Sequence, residues 1–225
     1  MIAARCAVHG DAGSPSPPGS PSRALAPARA SHAGGGDSMA PMQDVQPRFG
    51  YRDLLVMPED GRRYEIHGGA LVVVPSPLPC HQIAVTELVT LLCEYGRRSG
   101  GIALAAPLDI VLDEHDVVQP DVVFFRASRR HLVQPYAATR VAPDIAVEVL
   151  SPSTASVDRG RKMRIFARYG VPEYWIVDPV RLEIEVHVLE DGAYRRAQLA
   201  TGVDTVRSVL LPDLSFPAAG IFPFA

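Results

Sequence analysis

The stretch VAPDIAVEVLSPST, residues 141–154, determines the fold and carries the first indication of chemistry. Its short aliphatic run lies between two prolines, which predicts a buried β-strand. Successive side chains of a strand point to opposite faces, so that Glu148 lies among aliphatic residues near the end of this strand. A buried carboxylate without a partner is costly. Glu148 therefore needs a cation, a hydrogen-bonding network or a metal ion.

The segment that follows, VDRGRKMRIFARYG at residues 157–170, predicts a helix that ends at Gly170. At about 100° per residue, Asp158 and Lys162 fall on the same face as the apolar and aromatic side chains, and the arginines fall on the other. Lys162 is the single lysine among 22 lysines and arginines, so that this position favours a compact ammonium group, unless chance explains it. We expect Lys162 to point toward Glu148; the alternative is an ordinary i, i+4 salt bridge with Asp158.

A second carboxylate, Asp121, follows Pro120 and opens the strand-like run DVVFF. If this strand lies beside the strand of Glu148, the two carboxylates converge on one divalent ion. Their hard oxygen ligands suit Mg²⁺ or Mn²⁺, with waters at the remaining positions. Such an ion fits phosphodiester hydrolysis, together with Lys162 to orient or deprotonate a water and to stabilise developing charge. The alternative for Asp121 is a turn or strand-entry residue.

The neighbouring segments predict an α/β or α+β fold, in which a mixed central sheet is flanked by two main helices and preceded by a hairpin. Gly68-Gly69 forms the two-residue turn of the hairpin. In the predicted strand LEIEVHVLE, apolar residues alternate with Glu183, Glu185 and His187, which predicts one buried and one solvated face; AYRRAQL and TVRSVLLPDL complete the predicted sheet. The segments are RRYEIHGGALVVVP (62–75) for the hairpin, HQIAVTELVTLLCEYGRRSG (81–100) for the first helix, and PEYWIVDP (172–179) and LEIEVHVLE (182–190) for strands.

Two further polar residues have simple structural interpretations. Glu65 alternates with Tyr64 and Ile66 and is most simply a solvated strand residue. His81 follows a proline-rich loop at the start of a predicted helix, where a capping or surface role is usual. Neither residue indicates a functional site by itself.

Residues 1–47 are rich in Pro, Gly, Ala and Ser, a composition that cannot bury enough apolar surface to offset its ordering entropy. We expect this segment to be disordered or, because Met39 and Met42 offer later starts, untranslated. Residues 48–225 then form one domain. The net charge of −3 argues against a large phosphate-binding surface but permits carboxylates that cluster around a metal.

The three cysteines are an odd number without a Cys-x-x-Cys pair, which excludes a disulfide framework and a thiolate zinc site. No apolar run reaches the roughly 20 residues that span a bilayer. The first residues also lack the compact apolar stretch of a signal peptide. We therefore expect a cytoplasmic protein that does not enter a membrane.

Several segments, taken in order, resemble the Uma-type family of restriction-endonuclease-like proteins, which belongs to the PD-(D/E)XK nuclease superfamily. The similarity extends from about residue 48 to residue 222. Its most specific part is EVLSPST followed by GVPEYWIVDP. The matching segments are EDGRRYEIHGGALVVVPSP (59–77) with the histidine at 81, VVQPDVVFF (117–125), APDIAVEVLSPST (142–154), YGVPEYWIVDP (169–179) and LLPDL (210–214).

The resemblance implies a restriction-endonuclease-like fold and metal-dependent cleavage of DNA. Pro120-Asp121 matches the Pro-Asp of the superfamily, and Glu148 matches its acidic residue. Leu150 stands where the simplest superfamily pattern has a lysine. The resemblance therefore implies a lysine that has migrated to the following helix, at Lys162. A fold of this kind can also persist without activity.

These observations predict a Mg²⁺- or Mn²⁺-dependent DNA endonuclease, either a monomer or, by analogy with nucleases that cut both strands, a homodimer. A catalytically inactive nuclease fold that binds nucleic acid or protein is the main alternative. A serine–histidine hydrolase is a third, which the absence of a Gly-x-Ser-x-Gly motif disfavours. The predicted site comprises Lys162, Asp121 and Glu148 as catalytic residues, the latter two as metal ligands, and Glu65 and His81, which lie where the family has polar residues near the site, as supporting residues.

Overall fold

The computed structural model describes residues 48–225, and the prediction for residues 1–47 lies outside this range. The strands are β1 (Arg63–His67), β2 (Ala70–Val74), β3 (Ile102–Ala105), β4 (Ile110–Val111), β5 (Asp116–Val118), β6 (Val122–Phe125), β7 (Ile145–Val149), β8 (Glu173–Asp178), β9 (Glu183–Glu190), β10 (Ala193–Thr201), β11 (Thr205–Arg207) and β12 (Ser215–Pro217). The helices are α1 (Tyr51–Leu54), α2 (Pro79–Ser99), α3 (Ala155–Val157) and α4 (Met163–Arg168), with 3₁₀ turns at Ala127–Leu132 and Ala218–Ile221 and a π-helical turn at Asp158–Lys162. None of the helices in the described range is long and apolar enough to cross a membrane.

The central sheet has six strands in the order β10-β9-β8-β7-β6-β3. β7 and β8 run parallel, and the other neighbouring strands run antiparallel. Parallel neighbours need a crossover connection, and the segment at residues 155–168 supplies it. We call this segment, which consists of α3, the π-helical turn and α4, the site helix. The predicted mixed sheet flanked by two main helices is confirmed.

The two faces of the central sheet carry different helices. On one face, which we call the α2 face, Leu88 and Leu92 of α2 pack in one apolar cluster with Val147 and Trp175. On the opposite face, the apolar side chains of the site helix pack against aliphatic and aromatic residues of β7 and β8. The predicted end of α2 is confirmed, because Gly100 caps it in the left-handed conformation at φ 81°.

A second sheet has four strands in the order β2-β1-β5-β4. β1 and β2 form the predicted hairpin, and Gly68 and Gly69 both have positive φ, as its two-residue turn requires. Arg168 at the end of the site helix reaches the buried Asp116 of β5, with 2.9 Å between Nη1 and Oδ2. Tyr169 donates a hydrogen bond to the same carboxylate at 3.0 Å. These contacts hold the second sheet against the site helix.

The predicted solvated face of β9 is wrong. The alternation itself is correct, but Glu185 and His187 are both buried. Glu185 accepts hydrogen bonds from Arg159 of the site helix and from Arg196 of β10, the latter at 3.2 Å. Strand alternation separates the two faces but does not say whether a distant element covers the second one. Here the charged side chains of the site helix and of β10 cover it.

Candidate active site

The strands that carry the two predicted metal ligands are neighbours. β6 and β7 pair antiparallel, with Val122 opposite Val147. Asp121 stands just before β6, and its Oδ2 accepts a hydrogen bond from the backbone N–H of Val149 at 2.8 Å. Asp121 and Glu148 line the same cavity. The sequence-predicted convergence of the two carboxylates is therefore present in the structure.

Lys162 points inward, to these carboxylates. Its Nζ lies 2.9 Å from Oε1 of Glu148 and 3.1 Å from Oε1 of Glu65. The distance to Oδ1 of Asp158 is longer, at 3.8 Å, and both members of this i, i+4 pair are buried. An ordinary surface salt bridge with Asp158 therefore does not describe the lysine, because its shorter contacts are to other elements.

The helix that carries Lys162 differs from the prediction in its local form. Asp158–Lys162 is a π-helical turn rather than a continuation of the α-helix. Tyr174 of β8 donates a hydrogen bond from its hydroxyl to the backbone carbonyl of Asp158 at 3.0 Å. π-Helical turns occur frequently at functional sites. Asp158 and Lys162, at the two ends of this turn, are both buried.

Glu65 is not a solvated strand residue, because only 1% of its surface is exposed. Its Oε1 accepts a hydrogen bond from the backbone N–H of Gln119 at 2.7 Å, in addition to the contact with Lys162. Its Oε2 lies 2.8 Å from Nε2 of the buried His67. The simple interpretation failed because the second sheet lays this face of β1 against the site helix. The structure brings Glu65 to the predicted site.

His81 is buried as well, in the first turn of α2. Its Nε2 lies 3.2 Å from Oδ2 of Asp121. The other ring nitrogen, Nδ1, has no hydrogen-bond partner among the described residues. His81 thus contacts a predicted metal ligand rather than solvent.

Three residues at the site were not predicted from the sequence: His67, Gln119 and Arg63. Arg63, Glu65 and His67 occupy alternate positions of β1 and therefore share one face. Three polar side chains on one strand face are usually a solvated surface. The alternate spacing of these polar residues could have indicated a site, but the sequence does not show that another element covers this face of β1.

The site holds more negative than positive charge. Its titratable core is an ammonium group and four carboxylates, with exposed fractions of 5% for Lys162, 1% for Glu65, 9% for Asp121, 2% for Glu148 and 3% for Asp158. Burial raises the pKa of Glu148 well above its usual value, and the neighbouring carboxylates add to this rise against the opposing effect of Lys162. Burial raises the pKa of Asp158 in the same way.

The pKa of Lys162 rises, although its ammonium group is buried. Burial alone would lower the pKa of Lys162, but the surrounding carboxylates, Glu148 first, raise that pKa well above its usual value. For Glu65, a carboxyl group, burial alone would raise the pKa. Lys162 and His67 outweigh that effect and bring the pKa of Glu65 to about 2. Glu65 and Lys162 are therefore an ion pair, whereas Glu148 is a carboxylate whose charge is incompletely balanced.

The residues present fit a small divalent cation. The cavity beside Asp121 and Glu148 has a volume of about 30 Å³, enough for one or two waters. Oδ1 of Asp121 and Oε2 of Glu148 make no hydrogen bond to any other residue between 48 and 225. Within that range, no three His, Cys, Asp or Glu side chains are grouped to hold one ion together.

The chain is similar to a family of known proteins and to a solved structure. The model of the Uma2 family, described as "Putative restriction endonuclease", matches residues 51–219. No curated protein matches the chain. A solved structure described as a "putative nuclease belonging to DUF820", from Anabaena variabilis, is similar with a TM-score of 0.65 and 19% sequence identity, over 78% of this chain and 98% of that one. At this identity the likeness shows a shared fold. Because the family match spans residues 51–219 of 225, the chain belongs to the Uma2 family.

Proposed function

We propose that this protein is a metal-dependent endonuclease that hydrolyses phosphodiester bonds of DNA. The observation that carries the proposal is the cluster of Asp121, Glu148 and Lys162, in which two carboxylate oxygens remain available beside a small cavity. Membership of a family described as restriction endonucleases supports the same chemistry. The substrate is a polyanion, so that an acidic site needs a cation before it can accept a phosphate.

Asp121 and Glu148 would hold a Mg²⁺ or Mn²⁺ ion. Such an ion supplies charge neutralisation at the scissile phosphate and a lowered pKa for a coordinated water. Between its two suggested roles, Lys162 is better suited to orienting groups and stabilising charge, because its raised pKa keeps it protonated at neutral pH. An ammonium group cannot accept a proton, so that deprotonation of water by this side chain is disfavoured.

Glu65 and His81 position the residues of this site. Glu65 gives the ammonium group of Lys162 a second carboxylate contact besides Glu148, and His67 holds the second oxygen of Glu65 at 2.8 Å. Nε2 of His81 lies 3.2 Å from Oδ2 of Asp121 and restrains that carboxylate. These contacts restrict the rotamers of the two reacting groups, which reduces the reorganisation needed during catalysis.

Incubation of supercoiled plasmid DNA with the purified protein tests the proposal. We expect conversion to nicked or linear DNA with Mn²⁺ or Mg²⁺, and none with a chelator. Lys162→Ala should remove the activity, and Arg161→Ala, at the exposed neighbouring position, should retain it. Intact plasmid with every divalent metal, or equal cleavage by Lys162→Ala, would contradict the assignment.

The catalytically inactive module remains the second candidate, because the ammonium of Lys162 already contacts Glu148 and Glu65. A titration with Mn²⁺ separates the two candidates. Metal that binds the native site raises the melting temperature of the wild type, and Asp121→Asn should remove that rise. An inactive module shows no such dependence. A serine–histidine hydrolase finds no support, since the Ser151 hydroxyl contacts Ser153 and Thr154 instead of an imidazole.

The proposal also includes location and assembly. We place the enzyme in the cytoplasm, because Cys80 and Cys93 are free thiols, as is usual in a reducing compartment. A fluorescent fusion observed in cells tests this placement. Size-exclusion chromatography with and without duplex DNA decides between a monomer, which would nick one strand, and a homodimer, which would cut both.

A further inference from the structure

Arg63 lies at the cavity of the candidate active site. It belongs to β1, where side chains at alternate positions share a face, so that Arg63 points to the same side as Glu65. Arg63 lines the cavity together with Asp121 and Glu148. It is half-buried, whereas Glu65 is fully buried deeper along the strand. The guanidinium group therefore lies between the carboxylate cluster and solvent.

The guanidinium group of Arg63 is not committed to another residue. Its contact within residues 48–225 is a hydrogen bond from Nη2 to the carbonyl of Pro75 at 3.5 Å, the weak limit for such a bond. It forms no salt bridge in that part of the chain. Other arginines near buried carboxylates are engaged: Arg126 and Arg129 with Asp144, Arg159 and Arg196 with Glu185, and Arg168 with Asp116.

Among residues 48–225, the other basic side chains that line the cavity, Lys162 and His81, are also engaged. Lys162 contacts two carboxylates, and His81 contacts Asp121. Four carboxylates repel an incoming phosphate, and a bound divalent ion offsets only part of that charge. A guanidinium group can bind phosphate through two parallel hydrogen bonds. Arg63 is thus the available cation at the cavity that can receive the substrate backbone.

We propose that Arg63 binds a phosphate of duplex DNA at the mouth of this cavity and positions the adjacent scissile bond. The inference rests on the proposed nuclease function and adds a substrate contact to it. The paired strands of the hairpin hold Arg63 in place, since it lies opposite Val74 in the β1–β2 register. Arg63 acts on substrate binding, whereas the chemical step depends on Asp121, Glu148 and Lys162.

Two measurements on the full chain test this role. The first is fluorescence anisotropy of a labelled duplex at several salt concentrations, with Ca²⁺, a cation that binds oxygen ligands and can fill the acidic site. The second is cleavage kinetics with Mn²⁺. For Arg63→Ala we expect affinity to fall about tenfold, and the slope of log affinity against log salt to decrease by about one. KM should rise with kcat nearly unchanged. Arg63→Lys should recover part of the affinity, because it keeps the charge and loses the bidentate geometry.

Arg62→Ala is the matched control. Arg62 is the neighbouring residue, is exposed, does not line the cavity and pairs with Asp60 at 3.6 Å. It should bind and cleave as the wild type does. Equal affinity, salt slope and KM for Arg63→Ala and Arg62→Ala would overturn the role of Arg63 and leave the nuclease proposal intact. If the wild type does not cleave, the nuclease proposal fails, and the anisotropy measurement still decides whether Arg63 contacts phosphate.

Discussion

Two buried glutamates on adjacent strands, Glu148 of β7 and Glu173 of β8, show how differently a carboxylate can be accommodated in one sheet. They lie on opposite faces, because Glu173 shares the α2 face with Trp175 and Glu148 faces the site helix. The donors to Glu173 are all neutral: the Trp175 indole, the Ser208 hydroxyl at 3.2 Å and the backbone N–H groups of Val209 and Leu210 at 2.9 and 2.7 Å.

Glu148 has the opposite kind of environment. It accepts one hydrogen bond, from the ammonium group of Lys162, and three further carboxylates raise its pKa through their charge. Its second oxygen lies beside a cavity rather than beside a donor. Both oxygens of Glu173 accept hydrogen bonds, whereas one oxygen of Glu148 accepts none from the described residues and its surroundings carry excess negative charge.

The difference shows which property of a buried carboxylate indicates function. Burial is the main cause that raises the pKa of both Glu148 and Glu173, so that a shifted pKa does not separate them. The number and type of hydrogen-bond partners does. Four neutral donors fix Glu173 and join β8 to the segment at residues 208–210. The unbalanced charge around Glu148 instead favours binding of a cation.

The largest expected effect is on cleavage. Glu148→Gln should reduce the rate on the order of 1,000-fold, since it removes a charged metal ligand and with it several kcal/mol of transition-state stabilisation. Glu173→Gln keeps one acceptor oxygen, enough for the donors at residues 208–210, and lies on the opposite face, so that its cleavage rate should stay within a few-fold of the wild type. Single-turnover cleavage of a labelled duplex with Mn²⁺ measures both rates. Similar losses for the two variants would show that the opposite faces do not differ in function.

The next largest effect is on the free energy of unfolding, and here the Glu173 variant should lose more than the Glu148 variant. Glu173→Ala should lower the free energy of unfolding by about 3 kcal/mol, because it leaves buried indole and backbone N–H groups without an acceptor. Glu148→Gln should change the metal-free stability by no more than about 1 kcal/mol, since Lys162 keeps Glu65 as its partner. Urea unfolding in chelator measures both. A larger loss for Glu148→Gln would mean that its ion pair is primarily structural.

The surroundings of Glu148 could largely be predicted from the sequence, whereas those of Glu173 could not. The prolines around β7, the glycine that ends the site helix and the inward phase of Lys162 are local signals, and each was visible. Glu173 has a similar setting within PEYWIVDP, but no local feature shows whether neutral donors will surround it. Three of its four donors come from residues 208–210, which lie far along the chain.

The parts that could not be predicted depend on contacts between distant segments. Glu65 and Lys162 are separated by almost a hundred positions, and the alternation of β1 could not reveal that the second sheet covers its polar face. Helical phase at a constant 100° per residue also gives no sign of the π-helical turn. β5 and β12 have three residues each, too few for a period to be recognised.

An intermediate effect is expected in the pH dependence of stability without metal. Because burial raises the folded-state pKa of Glu148 well above its ordinary value of 4.5, protonation favours the folded state. This stabilisation is complete below pH 4.5 and is lost as the pH rises through the raised pKa. Urea unfolding between pH 5 and 8 should therefore show the wild type losing stability with pH more steeply than Glu148→Gln.

Adding Mn²⁺ to the same measurement distinguishes the two glutamates. Metal competes with protons for Glu148, so that the loss of stability at high pH should disappear in the wild type. Glu173 also has a raised pKa, but its contribution should not respond to metal, because neutral donors occupy its oxygens. Glu173→Gln should therefore retain the metal response, and Glu148→Gln should lose it. A metal response that persists in Glu148→Gln would place the ion elsewhere.

The smallest expected effect concerns a single donor to Glu173. The hydroxyl of Ser208 donates to that carboxylate at 3.2 Å and accepts a hydrogen bond from the backbone N–H of Leu211 at 2.8 Å. Ser208→Ala should lower the free energy of unfolding by about 1 kcal/mol, while the exposed Ser215→Ala should leave it unchanged. Cleavage by Ser208→Ala should match that of the wild type, because the loss falls on the α2 face. A cleavage defect without a loss of stability would show that the α2 face transmits its state to the site, and the separation of the two glutamates would be wrong.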